Sequence, residues 1–116
     1  MTKFVDTLDK DQIAAWKAQH GEVHAIPAPR DADGNEPFGV VVRLPSEADY
    51  LMFREAAFDE EGRKTAGLTL FDDCVVYPDR AAVAAYFRRR PFEQPVFVDK
   101  LLELAGSKAK VEAKKL

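Results

Sequence analysis

The run His20-Gly21-Glu22-Val23-His24 holds the chain's two histidines at a spacing that invites a metal reading. A zinc metalloprotease helix needs two histidines at i and i+4 with glutamate directly after the first. Here Gly21 follows the first histidine and the glutamate comes one place late. A glycine there stops a helix, so the imidazoles do not share a helical face. No third ligand is apparent, and the pair reads as a helix-end histidine and a strand histidine. Asp31-Ala32-Asp33-Gly34-Asn35-Glu36 opens like a calcium loop. An EF-hand needs a third oxygen ligand before its glycine and a bidentate glutamate six residues after it. Gly34 arrives too soon and position 40 is valine, so a hairpin turn accounts for the same residues.

Asp72-Asp73-Cys74 sets two acids beside the only cysteine. A reactive thiolate needs an electropositive setting, so Cys74 reads as a buried structural thiol. Arg88-Arg89-Arg90 lies at the C-terminal end of a helical segment, where cations complement the helix dipole; an acidic patch on a partner, or a phosphate backbone, is the alternative counterpart. No nucleophile–base–acid set, glycine-rich phosphate loop or dinucleotide fingerprint is present. The expectation is therefore a non-enzymatic protein with no catalytic residues, no cofactor and no metal.

The elements that position these residues follow from patterning. Asp9 or Asp11 caps a first helix over residues 9–20, with Ile13, Trp16 and His20 on one face and Gly21 as its stop. Glu22–Ile26 alternates, with Val23 and Ala25 on one face and His24 and Ile26 on the other. Phe38–Leu44 is rich in β-branched residues. Between them the prolines and Asp-Gly of Pro27–Pro37 mark a long turn, so the two strands form an antiparallel hairpin. Ser46, with Asp49 three residues on, caps a second helix running to Phe58. Asp59–Gly67 is polar, carries two glycines, and reads as a mobile loop. A helix from Leu68 to Tyr77 carries Leu70, Phe71, Cys74 and Val75 as a stripe and ends before Pro78. Asp79 caps a helix over residues 80–90, closed by Pro91, and a last helix spans residues 94–105 with Gly106 as its stop.

The expected fold class is α+β: an N-terminal helix and antiparallel β-hairpin packed with a bundle of about four helices. Residues 1–106 are read as one domain and 107–116, with four lysines and one glutamate, as a basic tail, either a frayed helix or disordered. The net charge of −3 argues against a nucleic-acid partner, which would call for a basic face. Asp6, Asp9 and Asp11 interrupt any signal-peptide core, and no apolar run approaches the roughly 20 residues that cross a bilayer. The reading is a cytoplasmic protein without a membrane partner.

Apolar residues cover wider arcs of two helices than one packing contact requires. In the second helix Leu51 and Phe58 share one face while Tyr50, Phe53 and Ala57 define another. In the last helix Phe97, Leu101 and Leu104 form one row and Val98, Leu102 and Ala105 a second. Such surplus fits either helices buried on two sides, all six residues then being core, or a helix-in-groove surface for an amphipathic partner at Tyr50, Phe53, Ala57, Phe97, Leu101 and Leu104, the lysine tail forming part of its rim. Uncovered strand edges and doubled apolar rows also predict a homo-oligomer.

The order of segments resembles the small phage tail assembly chaperones. Ile13–Ile26 is similar to their opening: a short helix with a Trp-Lys pair (Trp16-Lys17), a His-Gly turn (His20-Gly21) and a strand. Val40-Val41-Val42-Arg43-Leu44-Pro45-Ser46 then resembles their second strand and proline-started helix. Cys74-Val75-Val76-Tyr77-Pro78-Asp79 and Leu101-Leu102-Glu103-Leu104-Ala105-Gly106 continue the likeness into a lysine-rich tail. The pattern covers most of the chain, with the long Pro27–Pro37 loop and the Asp59–Gly67 insert as departures. The resemblance implies a protein that binds the tape measure protein and keeps it soluble until tail tube subunits polymerise. It implies self-association, residence in the host cytoplasm, and absence from the mature virion. The alternative is a phage- or prophage-encoded adaptor or inhibitor that docks on a host protein.

Overall fold

A computed structural model describes residues 3–30, 37–106 and 111–116. The chain opens with a single 3-10 turn, Phe4–Thr7, and helix α1, Lys10–His20. Asp9 caps α1 by accepting from the Asp11 N–H, and Gly21, at φ 80°, ends it. Strands β1, Val23–Pro27, and β2, Gly39–Arg43, pair antiparallel with Val23 opposite Arg43 and Pro27 opposite Gly39. The Asp31–Glu36 stretch weighed for calcium lies outside the described residues.

Helix α2, Glu47–Phe58, begins at a full capping box: the Ser46 side chain accepts from the Asp49 N–H, and the Asp49 carboxylate accepts from the Ser46 N–H. The expected loop over Asp59–Gly67 is instead the first half of helix α3, Glu60–Cys74. Asp59 ends α2 and caps α3, its carboxylate accepting from the Gly62 N–H at 3.2 Å. Glu60 and Glu61 in the first turn favour the positive helix end. The two glycines serve close packing rather than mobility. A Cβ on Gly62 would lie 2.6 Å from the Ala56 carbonyl oxygen, and one on Gly67 2.9 Å from Val98 Cγ1.

The expected helix Leu68–Tyr77 is also corrected at its far end. It stops at Cys74, and Val75–Tyr77 forms a third strand, β3, on the open side of β2. β-Branched Val75 and Val76 suit the extended form. The resulting antiparallel sheet has the order β1-β2-β3, with β2 central and Gly39 to Val42 all buried. Asp79 then caps α4, Arg80–Arg89; after a 3-10 turn, Pro91–Glu93, α5 spans Gln94–Leu104.

Strand alternation sends side chains to two separate cores. On one sheet face Ile26, Val40 and Val42 pack against α3, α4 and α5. Phe71, Phe87 and Phe97 meet there with ring centroids 5.3–6.2 Å apart, and Phe38 stacks on Tyr86. On the other face Val41 lies under Phe4 and Trp16, with Val23, Ala25 and Tyr77 at the margin. The N-terminal turn and α1 thus form a lid over a face that would otherwise be exposed. Among the described residues no helix is long and apolar enough to cross a membrane.

Candidate partner-binding surface

Helix α2 is fastened at its start and open along its length. Arg43, at the end of β2, donates to the Asp49 carboxylate at 2.7 Å and to the Asp73 carbonyl at 3.0 Å. This one guanidinium ties the sheet, the first turn of α2 and the last turn of α3 together. Its hydrogen bond and that from the Ser46 N–H hold the Asp49 carboxyl at about 2, below the usual 3.8. Beyond that anchor α2 rests mainly against α3, and none of its residues is buried. Tyr50, Met52 and Phe58 are 54, 64 and 82% exposed. Exposed apolar area concentrated on one helix makes α2 the candidate for a surface that binds.

Beside α2 runs a groove of about 570 Å³. Pro45, Tyr50 and Phe53 form one wall, Leu102 and Leu104 the other, with Leu70 between them. The sequence-predicted residues divide on this geometry. Tyr50, Phe53 and Leu104 come together in the groove. Ala57 sits half-buried farther along α2 and does not line it. Phe97 and Leu101 are 1 and 0% exposed and belong to the main core, so neither contributes to the groove. The second row of α5 also contributes to the groove, through Leu102 and Ala105, whereas its Val98 is buried in the main core. Both rows are apolar, so periodicity alone could not separate them. The choice depends on how α5 rolls against Phe71 and Phe87.

The remaining groups take structural places. His20 closes α1, whereas His24 stands in β1 with Nε2 2.6 Å from Glu22 Oε2. Cys74 is fully buried, and burial pushes its thiol up to about 11, so it stays protonated and unreactive at neutral pH. Arg89 and Arg90 lie over the Tyr86 ring at 5.8 and 5.5 Å, and the Tyr86 hydroxyl donates to Glu93 at 2.5 Å. Part of the arginine run therefore braces the junction of α4 with α5 rather than standing free. Among the described residues no group of three or more His, Cys, Asp or Glu side chains gathers where it could hold a metal ion.

No protein-family model matches the sequence, and no curated protein matches it. A solved structure of an uncharacterised protein from Bacillus stearothermophilus is similar in fold. It aligns with a TM-score of 0.66 over 91% of this chain and 100% of that one, at 18% identity. At that identity the likeness concerns architecture alone: the chain shares an α+β fold with a protein from Bacillus stearothermophilus, and its surfaces must be read on their own chemistry.

Proposed function

We propose that this protein is a non-enzymatic phage tail assembly chaperone that binds the tape measure protein in the host cytoplasm and keeps it soluble before tail tube polymerisation. The observation that supports this reading is α2, a twelve-residue helix with no buried residue, set beside an apolar groove. A long, coiled-coil-forming partner presents apolar stripes at helical spacing. A groove between two helices accepts such a stripe, with Tyr50, Phe53 and Leu104 meeting residues one turn apart. Tyrosine suits that role, because its ring supplies contact area and its hydroxyl keeps a hydrogen bond at the wet rim.

The experiment is co-expression of the chain with a tape measure protein from the same gene cluster. Tyr50→Ala should melt close to wild type and Leu104→Ala, half-buried against the core, somewhat below it, and both should lose most of the co-purified partner. Leu101→Ala serves as the contrast, since truncating a fully buried leucine costs about 2–5 kcal/mol and lowers the melting temperature. Retention of the partner by both groove variants, with normal folding, would overturn the proposed surface. Failure of the wild-type chain to co-purify with any tape measure protein would overturn the function.

A further inference from the structure

The edge of β1 borders a second cavity, which shares only Leu104 with the α2 groove. β1 is the outer strand of the sheet. The Ala28 N–H donates to the Phe38 carbonyl at 2.9 Å, one step beyond the Pro27–Gly39 pair. Bonded and non-bonded pairs alternate along an antiparallel ladder. Ile26 and His24 are therefore bonded to β2, and Val23, Ala25 and Pro27 turn their main-chain groups to the open side. Pro27 has no N–H to leave there, as befits an edge strand. Val23 and Ala25 each offer a donor and an acceptor.

A cavity of about 500 Å³ opens against this edge, between β1 and α5. His24, Ala25, Ile26 and Pro27 all line it, although their side chains alternate between sheet faces. Consecutive residues share one cavity only where it reaches the strand's main chain from the side. Its apolar floor comes from Ile26, Phe97 and Leu104. Its rim is acidic in balance: Asp99 and Glu103 stand one helical turn apart on α5 against Lys100 alone, which lies 3.6 Å from Glu103.

We infer that the β1 edge binds an extended segment of another protein as an added strand. One bulky apolar side chain enters the cavity, and a flanking lysine or arginine faces Asp99 and Glu103. Main-chain bonds to Val23 and Ala25 provide affinity, and the cavity and the acidic rim provide selectivity, the usual division in strand addition. The inference does not depend on the tape measure reading: it makes no use of α2, and of the groove residues it shares only Leu104.

The probe is a labelled, capped peptide of alternating lysine and valine with one central phenylalanine, titrated into the full chain by fluorescence anisotropy. Saturable binding is expected. Ala25→Pro removes an outward N–H that β2 does not use, and should weaken binding about tenfold, the scale of one main-chain hydrogen bond. The double variant Asp99→Lys with Glu103→Lys should reverse the preference, favouring the same peptide with glutamate in place of lysine. No saturable binding by wild type, or unchanged binding and unchanged charge preference in the variants, overturns the inference. Should Ala25→Pro fail to fold, the charge-reversed variant decides alone. An oligomer that Ala25→Pro converts to monomer would assign the edge to a second copy. A several-fold gain in peptide affinity on deleting residues 107–116 would assign it to the chain's own tail. Either result overturns the commitment to a foreign strand.

Discussion

Asp49 accepts from Arg43 at 2.7 Å and from the Ser46 N–H at 2.8 Å, and both interactions favour its ionised form. The carboxyl is held at about 2 in the fold against the usual 3.8. A depressed folded value means stability that is present above pH 4 and is lost as pH falls towards 2. The pair lies near the surface, where water and salt screen it, so the contribution is about 1 kcal/mol. Asp49→Asn should lower the denaturation midpoint at pH 7, and the gap from wild type should close between pH 4 and pH 2. A gap that persists unchanged at pH 2 would mean that the ionised carboxylate is not the source. The Ser46–Asp49 half of this arrangement is legible in the sequence as a capping box. The Arg43 half is not, because nothing in the spacing of residues 43 and 49 foretells a guanidinium that also reaches the Asp73 carbonyl.

Asp59 is where element boundaries are decided. Local polarity and two glycines point to a loop over residues 59–67, but Asp59 followed by Glu60 and Glu61 is also a sound helix start. Packing resolves the conflict, since Gly62 lets α3 approach the end of α2 and Gly67 lets it approach Val98 on α5. Asp59→Ala should cost about 1 kcal/mol, the usual loss of an N-cap, read by chemical denaturation. No loss would mean that the cap contributes nothing to α3. The same competition governs Val75–Tyr77. A helical stripe runs through Leu70, Phe71 and Cys74, and continuing it is the local choice. The open side of β2 instead draws Val75 and Tyr77 into register with Val42 and Val41.

Among the described residues the sheet separates two cores, with the α2 flank and the β1 edge lying outside both. On the side of α2 away from the anchor, Leu51 and Phe58 are exposed. Self-association through this row is part of the proposed chaperone reading, since uncovered apolar surface tends to find a copy of itself. Light scattering of the wild type should give a mass above the 13.0 kDa of one chain. Leu51→Glu with Phe58→Glu should return it to the monomer mass without lowering the melting temperature. A wild-type monomer across the micromolar range would remove the self-association.

From the sequence alone came the elements that local chemistry specifies. The Asp9, Ser46 and Asp79 caps, the Gly21 stop, the β-branched run Val40–Val42 and the face alternation of Val23–Ile26 all lie where their patterns place them. Each rests on contacts within a few residues, so neighbouring identities suffice. The tertiary structure alone decided the third strand, the fusion of the Asp59–Gly67 segment into α3, and which apolar residues of α5 enter the core. Those outcomes turn on residues far apart in the chain: Val98 against Gly67, Phe97 against Phe71 and Phe87, Tyr77 against Trp16. Phe97 and Leu101 could therefore be recognised in the sequence as apolar and periodic, but not as core. Burial is a property of the assembled fold, and two equally apolar rows on one helix are distinguished only by what packs against them.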